Sequence, residues 1–296
     1  MSQLYSRPLS EKWLVEKFLH SCLSFKDNNF GDIVLKVLKE EIIIGSVPQQ
    51  HSTLSDIKFR HPDYSSDDSR IKLRKEIVDE LILKDRLPDD NNISLGVGGA
   101  KPSEVKKNSE AVIVIGLPAS GKSSISNKIS EKMGAYIIDP DYAKLKLPEY
   151  NILGANVVHK ESTAIVRGST VTKDENNLLA ACIYHKANLV IPTVGQSLDD
   201  IREERNFLIK NGYKVHLLLV SVKRETATVR ALRRFIESGR YVPLSLIFDG
   251  YANDSVLTYH RTKNEQGWES YGKISTEGKE PTLIESSDES NPARFF

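Results

Sequence analysis

Cysteine is nearly missing from this chain. Only Cys22 and Cys182 occur in 296 residues, too few and too scattered for a disulfide framework, and a reducing compartment is the simple reading. An excess of one charge sign is missing as well. Against 41 Lys and Arg stand 40 Asp and Glu, a net charge of +1, which argues against a chain-wide surface for nucleic acid or anionic membrane, while local basic patches stay open. No run approaches about 18 uninterrupted apolar residues, so membrane spans are excluded. The first residues, MSQLYSRPLSEKWLVEKFLHSC, lack the apolar stretch of a secretory signal, and the expected location is cytoplasmic. Internal repeats and low-complexity tracts are also lacking. What is present is an ordinary globular composition, 39% hydrophobic and 27% charged, on a length that suits one large domain or two small ones.

The first third reads as helical. Leu14, Val15, Phe18, Leu19 and Cys22 fall on one stripe after a start at Ser10-Glu11; a second helix is predicted over roughly 32–43 and a third over roughly 68–84, with Leu73, Ile77 and Leu81 four residues apart. Turn-rich stretches, SVPQQHS and HPDYSSDD, separate the last two. Residues 88–108 are polar and broken by glycine and proline, and read as a linker or an irregular cover. Within them Leu95-Gly96-Val97-Gly98-Gly99-Ala100 has no strand before it and reads as a connector, not a nucleotide loop. The division expected is a helical segment over 1–87, the linker, and a domain over 109–296.

From residue 111 strands and helices alternate. AVIVIGL (111–117) is continuous and apolar, as in a strand buried on both faces. Further strands are predicted at 135–139, 188–195 and 213–222, with helices at about 122–133, 154–165, 175–185, 198–210 and 225–238. That order implies an α/β fold with a parallel sheet in three layers.

Gly116-Leu117-Pro118-Ala119-Ser120-Gly121-Lys122-Ser123 fits G-x-x-x-x-G-K-[ST], between the first strand and a helix-forming run that continues through Ser124. Its two glycines let backbone N–H groups converge on a phosphate, and the following helix adds a positive N-terminus. Lys122 can reach the β- and γ-phosphates, and the Ser123 hydroxyl can serve Mg²⁺. A chance match over this length is expected on the order of once in a hundred chains. N-K-x-D and D-x-x-G are absent, which argues against a GTP switch.

Asp139 and Asp141 end the second strand, 17 and 19 residues after Lys122. In an open parallel sheet that end faces the ligand crevice, so one carboxylate could take a substrate proton while the other orients Mg²⁺-bound water. The blander reading is a helix cap, which accounts for one of the two. Arg230, Arg233 and Arg234, with Arg224 before and Arg240 after, form either a solvated basic face or a lid that neutralises a transferring phosphoryl group.

Together GLPASGKS, IDPDYAK, HKESTAIV, NLVIPTVG, ALRRF and RY resemble the zeta-toxin family of P-loop kinases over roughly residues 109–262. The resemblance implies ATP and Mg²⁺ on Gly116–Ser124, Asp141 as catalytic base, Lys122, Arg234 and Arg240 as catalytic charges, and Glu161 as a substrate-binding residue, with Asp139 and Thr193 beside it on the acceptor side. It implies transfer to a hydroxyl of a nucleotide-sugar such as UDP-N-acetylglucosamine. Family members often carry I-E-G-T at the end of the third strand, where this chain has Ile191-Pro192-Thr193-Val194-Gly195. That departure makes NAD, the acceptor of related effector-type toxins, a second reading; such an effector would be delivered into a host cell. Competing classes are a nucleotide-dependent binding module and a polynucleotide kinase, the latter disfavoured by the charge balance and 7% aromatics. The family's toxins are held by a separate antitoxin. The helical N-terminal segment is expected either to dock on the kinase and restrain it in cis, or to deliver it or recruit a partner. His159 reads as a helix-surface residue, and Cys182 as core.

Overall fold

The computed structural model describes residues 6–46, 51–169 and 176–296. Its strands are β1 (Glu110–Ile115), β2 (Ala135–Ile137), β3 (Asn188–Thr193), β4 (Lys214–Ser221), β5 (Ser270–Ser275) and β6 (Thr282–Ser286). They form one sheet in the order β2-β3-β1-β4-β5-β6, parallel except for β6, which runs antiparallel at the edge. The helices are α1 (Lys12–Lys17), α2 (Phe30–Ser46), α3 (Asp67–Leu83), α4 (Lys122–Met133), α5 (Pro140–Lys146), α6 (Tyr150–Leu153), α7 (Ala155–Arg167), α8 (Leu178–Tyr184), α9 (Leu198–Lys210), α10 (Arg224–Ser238) and α11 (Asp254–Thr262).

The three-layer α/β reading holds, and four strands fall where their apolar runs place them. The fifth and sixth, SYGKIS and TLIES, were not read from the sequence, because they are short and polar. β5 alternates buried and half-buried residues, and β6 is largely exposed. The helix expected at 175–185 appears as α8; Glu175 lies outside the described residues.

β1 is central because it carries nothing polar after Glu110; Ala111–Ile115 are wholly buried between α-helical layers. Its parallel neighbours β3 and β4 align Ile115 with Thr193 and with Leu219, so the three strand ends open on one crevice. Side-chain caps fix the helices around it. Ser66 starts α3, Asp139 starts α5 and Ser197 starts α9, each accepting a backbone N–H of its helix.

The N-terminal helices go to two different places. α3 joins the main core through Leu73, Ile77, Val78 and Leu81, which pack with β-strand and α8 residues. Residues 88–108 follow it as a cover: Ala100 N–H donates to Leu81 O, and Ile93 and Ala100 are buried. The connector reading of 95–100 fits, since a Cβ on Gly99 would lie 2.1 Å from Lys84 O. The first two helices instead build a second core with α10 and the turn after it. Val15, Phe18, Leu19, Ile33, Val34 and Val37 pack there with Leu232, Phe235, Leu244, Ile247 and Phe248, and with Leu117 of the glycine-rich loop. Arg7 fastens this core, donating to Asp249 from Nε at 2.6 Å and from Nη2 at 2.8 Å, with its guanidinium 5.2 Å from the Phe18 ring centre. None of the helices among the described residues is long and apolar enough to cross a membrane.

Candidate active site

The loop from Gly116 to Gly121 links the end of β1 to the start of α4. A Cβ on Gly116 would lie 2.6 Å from Val220 O, and Gly121 holds φ +89°, so both positions require glycine. Ala119 also sits in the left-handed region, at φ +60°. The first N–H groups of α4 have no preceding turn to bond, which leaves them for an anion. Lys122 Nζ folds back over the loop and donates to Gly116 O at 2.6 Å and Leu117 O at 2.7 Å. Burial, only partly offset by Asp139, pulls this ammonium down to about 8. Ser123 and Ser124 are exposed at the first turn.

Asp139 and Asp141 arrive opposite the loop on the first turn of α5. Asp139 Oδ1 accepts the Asp141 N–H at 2.9 Å, so Asp139 is the helix cap as well as a crevice carboxylate. Burial, and then the Asp141 charge, push Asp139 upward. Burial pushes Asp141 the same way, but Lys144 and Arg240 outweigh it and hold its carboxyl below the usual range. Lys144 Nζ lies 2.6 Å from Asp141 Oδ1, and Arg240 Nη2 donates to the other oxygen. The two aspartates are therefore pushed apart, as expected of neighbours that cannot share one environment.

The arginines divide by role. Arg240 is on Asp141, and Arg234 is largely buried, its guanidinium lowered by burial and then by the charge of Arg240, while Asp141 opposes both. Arg230 turns instead to Thr276, and Arg224 lies 4.3 Å over the Phe248 ring. Arg233 is exposed. Arg233 is thus a solvated side chain, while Arg240 and Arg234 are in the field of Asp141. Tyr241, next to Arg240, donates to Glu41 of α2 and packs edge-on against Phe235 at 4.8 Å, so the N-terminal helices brace this segment.

Glu161 lies on α7, which packs against α5. It is fully buried on α7, where Arg70 donates from Nε at 2.7 Å and Nη2 at 2.5 Å, and Arg74 from Nε at 2.6 Å. Arg70 also holds Glu149, through Nη1 at 2.7 Å and Nη2 at 3.2 Å. Burial alone would raise Glu161, but the two arginines keep it below its ordinary value. Both arginines come from α3, so the carboxylate expected on the acceptor side is ion-paired to that helix. Thr193 is half-buried at the end of β3, level with Ile115. His159 is exposed on α7, as read from the sequence, and desolvation of its ring, then the charge of Lys144, lower its imidazole. Cys182 is buried in the core, as read from the sequence. Lys144, Thr276 and the Arg70–Arg74 pair were missed by sequence reading. Lys144 alone had a usable signal, its i, i+3 spacing from Asp141 on a short helix.

A family model described as zeta toxin matches residues 97–278. Among solved structures, the complex of AvrRxo1-ORF1 with AvrRxo1-ORF2 and sulphate ions is 18% identical, with 84% of this chain and 71% of that chain covered and a TM-score of 0.50. A structure from the PezAT chromosomal toxin–antitoxin system of the human pathogen Streptococcus pneumoniae is 16% identical, covers 78% of this chain and 85% of that one, and has a TM-score of 0.49. The first of these likenesses is one of fold. No curated protein sequence matches the chain.

Proposed function

The chain belongs to the zeta-toxin family of nucleotide-binding, kinase-type proteins, and from that premise we propose that it transfers the γ-phosphoryl group of MgATP to a hydroxyl of a small-molecule acceptor. The observation that carries the proposal is the meeting of three groups at one crevice: the glycine-rich loop with Lys122, the carboxylates of Asp139 and Asp141, and Arg240 closed on Asp141. A nucleotide-binding module without transfer has no use for the last two.

The residues fit a nucleotide triphosphate. Ser120 Oγ and Arg234 Nε are buried without partners among the described residues, and Gly116 and Gly121 leave a cradle that side chains would fill. Lys122 would exchange its carbonyl partners for phosphate oxygens. Mg²⁺, which would neutralise phosphate charge, would sit by the Ser123 hydroxyl and the phosphates, with Asp139 on its outer side. Arg240 would leave Asp141 for the incoming phosphates. Losing that cation raises the basicity of Asp141 as the acceptor hydroxyl arrives, so the lid and the base act together. Arg234 and Arg240 then face the charge that spreads over the transferring group.

A nucleotide-sugar such as UDP-N-acetylglucosamine is the first acceptor reading. The second is NAD or another adenosine-containing dinucleotide. Two observations favour it: Pro192-Thr193 stands at the end of β3, and Glu161 is occupied by Arg70 and Arg74. An antitoxin partner follows from the family. Restraint in cis gains no support from the hydrogen bonds, since Lys122 and Asp141 make theirs to Gly116, Leu117, Asp139, Lys144 and Arg240, none of them in the N-terminal helices. Nor is a kinase of residues 106–296 alone a clean test of it, since that truncation uncovers Phe235 and Phe248 and strips both arginines from Glu161. The test of the acceptor is parallel incubation of the full chain with labelled ATP and either UDP-N-acetylglucosamine or NAD. Label on the sugar nucleotide supports the first reading, and label on NAD alone replaces it with the second.

A further inference from the structure

Arg230 belongs by position to the arginine helix, yet its guanidinium points at the loop after β5. Nη2 donates to Thr276 O at 2.5 Å, and Nη1 lies 3.4 Å from Thr276 Oγ1. The Thr276 hydroxyl in turn donates to Ser120 O at 2.7 Å, across a separation of 156 residues. Its methyl carbon stands 3.5 Å from the place a Cβ on Gly121 would occupy. The neighbouring Glu277 holds the start of α10, accepting from Lys223 N–H at 2.9 Å and from the Thr226 hydroxyl at 2.6 Å. One short turn therefore joins the arginine helix to the glycine-rich loop.

The consequence lies in the peptide between Ser120 and Gly121. In a planar trans peptide the C=O and the following N–H point in opposite directions. A hydroxyl that holds Ser120 C=O toward Thr276 fixes the Gly121 N–H toward the opposite side. Gly121 needs such a restraint more than most residues, since it samples positive and negative φ with little preference. Arg230 sets the direction of the relay: it can only donate, so the Thr276 hydroxyl hydrogen is left for Ser120 O.

We infer that Thr276 and Arg230 are positioning residues for phosphate binding, holding the Ser120–Gly121 peptide so that its N–H is presented to the nucleotide before the nucleotide arrives. The inference rests on the nucleotide-binding reading of this loop. It separates Arg230 from Arg234 and Arg240: Arg230 acts through the loop and meets no transferring group. It also gives the segment after β5 a part in the site.

The test is titration of the full chain with ATP by calorimetry, alongside thermal unfolding. Thr276→Val keeps the shape and removes the hydroxyl. Losing one neutral hydrogen bond that orders the loop is expected to weaken ATP binding about 3- to 10-fold. Thr276→Ser, which keeps the hydroxyl, is expected to stay within about twofold of the parent. Arg230→Gln, a second probe should Thr276→Val fold poorly, is expected to weaken binding in the same direction. A merely structural role would lower the unfolding temperature of Thr276→Val and leave the affinity of the folded protein unchanged. That result, or equal weakening by Thr276→Ser and Thr276→Val, overturns the inference while nucleotide binding stands. Absence of ATP binding in the parent chain, under conditions where it is folded, defeats the nucleotide reading itself and the inference with it.

Discussion

Replacing Arg70 with methionine keeps most of the side-chain volume and deletes a buried charge. The guanidinium is 1% exposed, and its partners Glu149 and Glu161 are 2% and 0% exposed. Without it, Glu149 keeps the His61 N–H at 2.6 Å, and Glu161 keeps Arg74 Nε at 2.6 Å. Two positive and two negative side chains become one and two. Removing one partner of a buried pair costs about 3–5 kcal/mol, against a total stability of about 5–15 kcal/mol. At a urea slope of about 3 kcal/mol per M, the midpoint falls by about 1 M or more. The pH dependence sharpens the expectation. In the parent, Glu161 is held below its ordinary value of 4.5, so its contribution is present above that pH and fades as pH falls through the folded value. In Arg70→Met burial gains the upper hand at Glu161 and its carboxyl rises. Its contribution is then present at acid pH and lost as pH climbs past the ordinary value. The deficit relative to the parent should therefore grow in urea titrations as pH rises through the ordinary value, and Glu149→Gln on top of Arg70→Met should recover part of it. A variant as stable as the parent near neutral pH would refute the buried network of Arg70, Glu149 and Glu161.

The two aspartates can be separated by amide substitutions. Asp141→Asn should lose about 10²- to 10⁴-fold in transfer with ATP affinity retained, while Asp139→Asn, which still caps α5, should fold normally and lose less; a reversed order in single-turnover assays would put the family match in the wrong register. Arg234→Ala and Arg240→Ala should lower kcat more than they raise the KM for ATP, with exposed Arg233→Ala as the unaffected control. Because Arg240 helps hold Asp141 down before nucleotide binds, Arg240→Ala should also move the acid limb of the kcat/KM profile to higher pH; an unmoved limb there would mean that Asp141 is not the group titrating.

Much of this arrangement was legible because its signals are local. The loop from Gly116 to Ser123 is one continuous motif, and β1, β3 and β4 announce themselves by apolar runs that only a doubly covered sheet can bury. The aspartate pair follows from chain direction in a parallel sheet. The arginines were harder, since helical spacing puts Arg230 and Arg234 on one face but does not say that Arg230 reaches Thr276, 46 residues away. An amphipathic stripe says that a helix is covered, not by what. Nothing in α1, α2 and α3 indicated that the first two would support α10 while the third supplied Arg70 and Arg74 to Glu161. β5 and β6 were illegible for the opposite reason, being too short and polar to stand out from loops.

The central claim is that this crevice moves a phosphoryl group onto a small molecule, and it is tested most directly by following the γ-label of ATP. The full chain is incubated with γ-labelled ATP, Mg²⁺ and a mixture of nucleotide-sugars and dinucleotides, and the products are separated. The label is expected on an acceptor with the parent chain and to remain on ATP with Lys122→Ala, whose unfolding temperature should match the parent's. Label released only as inorganic phosphate, or transfer at the parent rate by folded Lys122→Ala, would contradict the account.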